Sequence, residues 1–171
     1  GDIYGINVHM FELSQGKARP GIREDITANM FERKAKMLEV SQASICLPGG
    51  IGTLDEAGEV LVENDIMEHH NPQGLIKPVI LINTKIDGKG FYDPFLEQMQ
   101  TSLRYGFTNA AIGRYYQDVP DAASAVQLLN ALNAQGPVVV NADRKALLEK
   151  PQERSAVVVP VSGDIANDGP A

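Results

Sequence analysis

The sequence predicts an α/β fold in which a parallel sheet is covered by helices on both faces. Segments typical of strands alternate with segments typical of helices along most of the chain. The predicted strands are too apolar for either of their faces to contact water. The composition is that of a globular protein, because 43% of the 171 residues are hydrophobic and 22% are charged. We expect one domain over residues 1–134 and a C-terminal extension or tail over residues 135–171.

Each element follows from the local pattern of apolar and turn residues. Apolar runs that stop at turn residues predict strands. In chain order these strands are Asp2–Val8, Ala43–Leu47, Ile76–Asn83 and Arg114–Val119. Apolar residues spaced three, four and seven positions apart predict helices. The predicted helices are Arg23–Gln42, Thr53–Glu68, Tyr92–Tyr105 and Asp121–Ala134.

Charge and composition exclude several classes of protein. The net charge is -7, with 15 basic against 22 acidic residues, so a nucleic-acid partner is not expected. The longest clean apolar run, Pro78–Ile82, is far shorter than the roughly 20 residues of a membrane helix. The single cysteine, Cys46, lies in an apolar run, which predicts a buried, inert thiol in a reducing, cytoplasmic compartment. No spacing typical of a metal site is present.

A glycine-rich loop, Pro48–Thr53, lies between a predicted strand and a predicted helix. Glycines at such a position let the backbone approach a ligand closely, and the N-terminus of the helix attracts anions. The loop lacks the Gly-Lys-Ser/Thr end of a Walker motif, and Asp55 replaces the third glycine of the dinucleotide-binding pattern. Two interpretations stay open: a phosphate site, or a tight turn with no ligand.

Two charged residues could serve a site at this loop. Thr53-Leu54-Asp55-Glu56 matches a capping box, and taken alone the pattern favours capping over a functional carboxylate for Glu56. A carboxylate beside a bound phosphate could instead hold ribose hydroxyls and stabilise positive charge at the anomeric carbon. Arg33 lies on the same side of the first predicted helix as Ile26, Met30 and Met37. It therefore needs a carboxylate or a ligand anion as partner, or else lies at the edge of the apolar stripe.

Together these residues carry a resemblance to a known family. The motifs are Met30-Phe31-Glu32-Arg33-Lys34 and Pro48-Gly49-Gly50-Ile51-Gly52-Thr53-Leu54-Asp55-Glu56. They resemble the M-x-x-R-K and P-G-G-x-G-T-x-x-E motifs of the LOG (Lonely Guy) family, whose members are often labelled lysine decarboxylase-like. The resemblance covers approximately residues 1–133 and implies a Rossmann-like nucleotide-binding domain. It also implies that this chain lacks the N-terminal strand and glycine-rich segment of the family.

The resemblance implies an enzyme that hydrolyses the N-glycosidic bond of a nucleoside 5′-monophosphate, either a cytokinin riboside monophosphate or AMP. It implies no metal or organic cofactor, and a homo-oligomer that is a dimer or larger. A separate N-terminal fragment of the same protein is a further possible partner. The implied catalytic residues are Arg33 and Glu56. The implied substrate contacts are Gly49, Gly50, Gly52 and Thr53 for the phosphate, with Met30 and Lys34 beside them.

Two other functions stay open on the sequence. A nucleotide or cofactor carrier without catalysis would need the glycine-rich loop but not the carboxylate of Glu56. A lysine decarboxylase would need a lysine that carries pyridoxal phosphate, and no motif here indicates one.

Overall fold

The computed structural model of the protein describes residues 3–10, 21–70 and 75–134, and it shows parallel strands flanked by helices. The predicted tail, residues 135–171, lies outside the described residues. The strands are β1 Tyr4–Val8, β2 Arg23–Thr27, β3 Ser44–Cys46, β4 Val79–Ile82, β5 Lys85–Ile86, β6 Lys89–Gly90 and β7 Tyr116–Val119. The helices are α1 Met30–Val40, α2 Ile51–His70, α3 Asp93–Arg104 and α4 Ala122–Ala134, with a 3-10 helix at Ala110–Arg114.

Strand β4 is the centre of the main sheet, in the order β3-β4-β7, and both of its pairings are parallel. Its residues are all buried. Val79 and Leu81 pack into a core cluster shared with α2 and α3, whereas Ile80 and Ile82 pack with Ala125 of α4. Alternate residues of a strand point to opposite faces, so helices cover both sides of this sheet. The predicted fold class is confirmed.

Strands β1 and β2 form a second parallel pair, and β2 takes the place of the start of the first predicted helix. We predicted one helix over Arg23–Gln42, but its first five residues form β2 and the helix begins at Met30. The spacing of Ile26 from Met30 fits a helix, but pairing with β1 decides the conformation. For example, the Thr27 hydroxyl donates to the Asn7 carbonyl at 2.9 Å. Contacts with a distant strand thus override the local pattern.

The start of α1 is fixed by a cap that the sequence contains. Asn29 precedes the helix, and its side-chain oxygen accepts a hydrogen bond from the Glu32 backbone N–H at 2.9 Å. The Glu32 carboxylate accepts in turn from the Ala28 backbone N–H at 3.0 Å. Asparagine is a favoured N-cap residue, and a glutamate three positions later is typical of a capping box. This Asn-x-x-Glu pattern was a usable signal that our prediction missed.

A buried hydrogen-bond network connects β4 to the glycine-rich loop. Asn83 directly follows β4; its side-chain oxygen accepts from the Tyr92 backbone N–H at 2.7 Å, and its amide donates to Asp93 at 2.9 Å and Asp118 at 3.1 Å. Tyr92 is only 1% exposed, and its hydroxyl donates to the carbonyl of Leu47, where the loop leaves β3. The core of the sheet therefore fixes the residue that directly precedes the loop.

The network predicts the effect of replacing Tyr92 with Phe. Without the hydroxyl, the Leu47 carbonyl loses its donor, so the free energy of unfolding should fall by about 1 kcal/mol in chemical denaturation. Amide hydrogen exchange at Gly49 and Gly50 should become faster, because the loop loses its fixed end.

Tyr115→Phe is the matched control. Tyr115 is also 1% exposed, but its hydroxyl donates to Glu68, away from the loop. Its loss should lower stability and leave loop exchange unchanged. If Tyr92→Phe destabilised the protein with no change in loop exchange, Tyr92 would act on the core alone.

Candidate functional site

A cavity of about 320 Å³ lies between β1, α1, β3 and α2. In the described part of the chain, no strand pairing joins β1 to β3, so both strand edges face this space. Helix α1 closes it on one side and α2 on another. Its charged lining residues are Arg33, Lys34, Glu56 and Glu59. The cavity thus brings together the two predicted catalytic residues.

Arg33 joins three elements at this cavity. Its side chain is 20% exposed, and its Nε donates to the Ile6 carbonyl of β1 at 3.1 Å. Its Nη1 donates to Glu56 Oε1 of α2, forming an ion pair. Because a guanidinium keeps its charge when partly buried, it requires such acceptors. Of the alternatives left open for Arg33, the structure shows a carboxylate partner, and its catalytic role stays a prediction.

The capping interpretation of Glu56 is wrong. Helix α2 begins at Ile51, and the Gly50 carbonyl already accepts from the Thr53 backbone N–H at 3.1 Å. Thr53 therefore lies within the first turn and is not the N-cap residue. Glu56 lies in the second turn, where its carboxylate pairs with Arg33 instead of the helix backbone.

The glycine-rich loop forms the turn from β3 into α2. A Cβ atom at Gly49 would overlap the Thr53 hydroxyl oxygen, so this position has no room for a side chain. Gly50 and Gly52 are exposed, and the first N–H groups of α2 lack acceptors within the helix. None of the four predicted phosphate-binding residues lines the cavity. They lie next to it instead, since Thr53 precedes Glu56 by about one helical turn.

Of the two other predicted substrate contacts, one lines the cavity and the other does not. Met30 is half-buried at the start of α1 and does not line the cavity. Lys34 does line it, and its Nζ lies 2.6 Å from Glu59 Oε2 and 3.1 Å from Asp55 Oδ2. The ammonium group of Lys34 therefore already has two carboxylate partners on α2.

Cys46, at the end of β3, also lines the cavity but is 7% exposed. Burial, with a smaller contribution from the charge of Glu56, raises the pKa of Cys46 to about 11. Because the thiolate is the reactive form, this thiol is inert near neutral pH. The prediction of a buried cysteine is confirmed, and the raised pKa supports the interpretation of an inert thiol.

Sequence reasoning missed three contributors to the site. Glu59 follows Glu56 by three positions, so the helical period could have placed both carboxylates on one side of α2. The Ile6 carbonyl and Tyr92 have no local signal, because each contacts the site only through the tertiary fold.

Within residues 3–10, 21–70 and 75–134, the structure shows neither a membrane-spanning helix nor a cluster of metal ligands. Among the helices there, none combines the length and apolar character that crossing a membrane requires. The same residues place no three His, Cys, Asp or Glu side chains where they could hold a metal ion.

The chain matches one family model and is similar to several curated plant proteins. The model of the family described as "Possible lysine decarboxylase" matches residues 1–129. The chain is 36% identical over 99 residues to the cytokinin riboside 5′-monophosphate phosphoribohydrolase LOG of Oryza sativa subsp. japonica, covering 58% of this chain and 37% of the rice protein. It is 31% identical over 134 residues to the enzyme of the same description, LOG5, of Arabidopsis thaliana, covering 77% of this chain and 54% of the relative.

A third relative is the Arabidopsis thaliana phosphoribohydrolase LOG2, 35% identical over 109 residues, which covers 63% of this chain and 46% of that protein. The chain thus spans about half the length, or less, of these curated relatives. The family match covers most of the chain and includes the residues that line the cavity. The chain therefore belongs to the LOG family, whose model is described as "Possible lysine decarboxylase".

Proposed function

We propose that this protein hydrolyses the N-glycosidic bond of a nucleoside 5′-monophosphate, releasing the free base and ribose 5-phosphate. The observation that carries the proposal is the Arg33–Glu56 ion pair, about one helical turn from a glycine-rich helix N-terminus. The names of the relatives describe phosphoribohydrolases of cytokinin riboside 5′-monophosphates, which supports the same reaction. We propose a cytokinin riboside monophosphate or AMP as the substrate.

The N-terminus of α2 suits the 5′-phosphate of this substrate. Gly49 lets the loop fold tightly against Thr53, and Gly50 and Gly52 leave the backbone exposed. Free N–H groups and the helix dipole both favour an anion at this position. We assign the phosphate to Gly49, Gly50, Gly52 and Thr53.

Glu56 would then lie next to the ribose. Cleavage of an N-glycosidic bond develops positive charge at the anomeric carbon, and a carboxylate stabilises that charge. A water oxygen forms the new bond to this carbon, while the bond to the base nitrogen breaks and the base leaves with a proton derived from the water. A guanidinium is a poor general acid, so the role of Arg33 is to orient Glu56 and the substrate by its charge and hydrogen bonds.

We also propose a homo-oligomer that acts in a cytoplasmic compartment. Large apolar side chains at Ile51 and Phe107 are 83% and 85% exposed, and contact with a second copy would cover such surface. The buried thiol of Cys46 is consistent with a reducing compartment. Met30, at the start of α1, is kept as a proposed substrate contact.

The central test is release of free base from AMP, its N6-isopentenyl derivative, GMP and CMP by the product of the whole gene, followed by chromatography. Glu56→Gln should lower kcat about 100-fold, because the neutral amide loses a transition-state interaction of about 3 kcal/mol. Glu63→Gln, which removes a charge seven positions further along α2, is the matched control and should retain activity.

The same assay separates the proposed hydrolase from the carrier. Nucleotide binding without release of base, unchanged by Glu56→Gln, would favour a carrier. Equal losses in Glu56→Gln and Glu63→Gln would show that the charge of α2, and not Glu56 itself, supports activity.

The loop predicts a second functional effect. Gly49→Ala places a methyl group against the Thr53 hydroxyl, so the loop must shift and KM for the nucleotide should rise about tenfold. Gly58→Ala on α2 is the control, because a Cβ atom there meets nothing within 4 Å. It should leave KM unchanged and stabilise the helix by about 0.5–1 kcal/mol. A KM unaffected by Gly49→Ala would place the phosphate elsewhere.

A further inference from the structure

Lys34 holds the two carboxylates that flank Glu56. Its Nζ lies 2.6 Å from Glu59 and 3.1 Å from Asp55, and its side chain is 20% exposed. Asp55 directly precedes Glu56 on α2, and Glu59 follows it by three positions. One ammonium group on α1 therefore pairs with acidic neighbours on both sides of the proposed catalytic carboxylate.

Among the ion pairs between α1 and α2, three carboxylates share two cations. Asp55, Glu56 and Glu59 lie within about two turns of α2, and two cations of α1, Arg33 and Lys34, pair with them. Like charges at such spacings repel each other. A guanidinium has five N–H donors, so a carboxylate without another partner could draw Arg33 away from Glu56.

Arg33 is held in a restricted position. Its Nε donates to the Ile6 carbonyl at 3.1 Å, and its Nη1 donates to Glu56 of α2. A small shift toward Glu59 or Asp55 would weaken both this bond and the pair with Glu56. The partner of Arg33 thus depends on whether the neighbouring carboxylates already have a cationic partner.

We propose that Lys34 is a positioning residue that acts as the shared cationic partner of Asp55 and Glu59, so that Arg33 pairs with Glu56 alone. The catalytic consequence rests on the proposed function. Hydrogen bonds from Lys34 to Glu59 and to Asp55 raise the pKa of Lys34, which favours its charged form. This assignment differs from direct contact of Lys34 with the substrate.

Three variants test the proposal in the base-release assay with the product of the whole gene. Lys34→Met should lower kcat about tenfold with KM changed less than about twofold, because the substrate contacts stay in place. Adding Asp55→Asn and Glu59→Gln to Lys34→Met should restore kcat to within about threefold, because no carboxylate then competes for Arg33. Lys36→Met is the matched control, since Lys36 pairs with Glu39 at 3.3 Å on the same helix.

Other results overturn the proposal. A raised KM that the triple variant does not restore would mean that Lys34 contacts the substrate. A lowered kcat without restoration would mean that Lys34 only attaches α1 to α2. Equal effects of Lys34→Met and Lys36→Met would leave Lys34 with no specific role. Lys34→Gln, which keeps a polar end, replaces Lys34→Met if that variant does not fold.

A second measurement is independent of the proposed function. In nuclear magnetic resonance, exchange of the Arg33 Nε–H proton should be slow, because it is bonded to the Ile6 carbonyl. Lys34→Met should speed this exchange and the triple variant should slow it again, even if the wild-type protein cleaves no nucleotide. Exchange that does not respond to Lys34→Met would contradict the positioning role, whatever the activity.

Discussion

The ion pair between Arg33 of α1 and Glu56 of α2 is the interaction on which the site depends. In the described residues, β1 and β2 form one sheet and β3, β4 and β7 another, with no strand pairing between them. Arg33 spans this space, because it also bonds the Ile6 carbonyl of β1. Arg33 therefore connects β1 to α2, the helix that contacts β3, and holds the proposed catalytic carboxylate.

The position of Glu56 follows from the packing of the main sheet. Strand β4 is buried on both faces, and it fixes β3 as a parallel neighbour. Tyr92 then holds the Leu47 carbonyl, so the loop leaves β3 at a fixed point and α2 begins at Ile51. Glu56 lies in the second turn of α2 as a result, facing α1. Rigid elements thus carry both partners of the ion pair, which favours a precise geometry.

The sequence was informative where the chemistry of a residue limits the surroundings in which it can lie. A guanidinium on the inner side of a helix needs an acceptor, which included a carboxylate among the alternatives for Arg33, and the buried apolar strands predicted the α/β class. The sequence was misleading where contacts with a distant part of the chain override a local pattern. Pairing with β1 converts Arg23–Thr27 from predicted helix to strand, and the early start of α2 removes the capping box at Thr53. The contribution of Tyr92 to the site could not be predicted, because its hydroxyl donates to the carbonyl of Leu47, 45 positions away.

The most direct test of this account is a double-mutant cycle on kcat/KM for release of base, with Arg33→Met and Glu56→Gln separately and together. Groups that act as a unit give non-additive losses. We predict that the double variant loses about as much activity as either single variant, with a coupling of about 2–3 kcal/mol. Losses that multiply in the double variant would show that Arg33 and Glu56 act independently, and would contradict the claim that their ion pair organises the site.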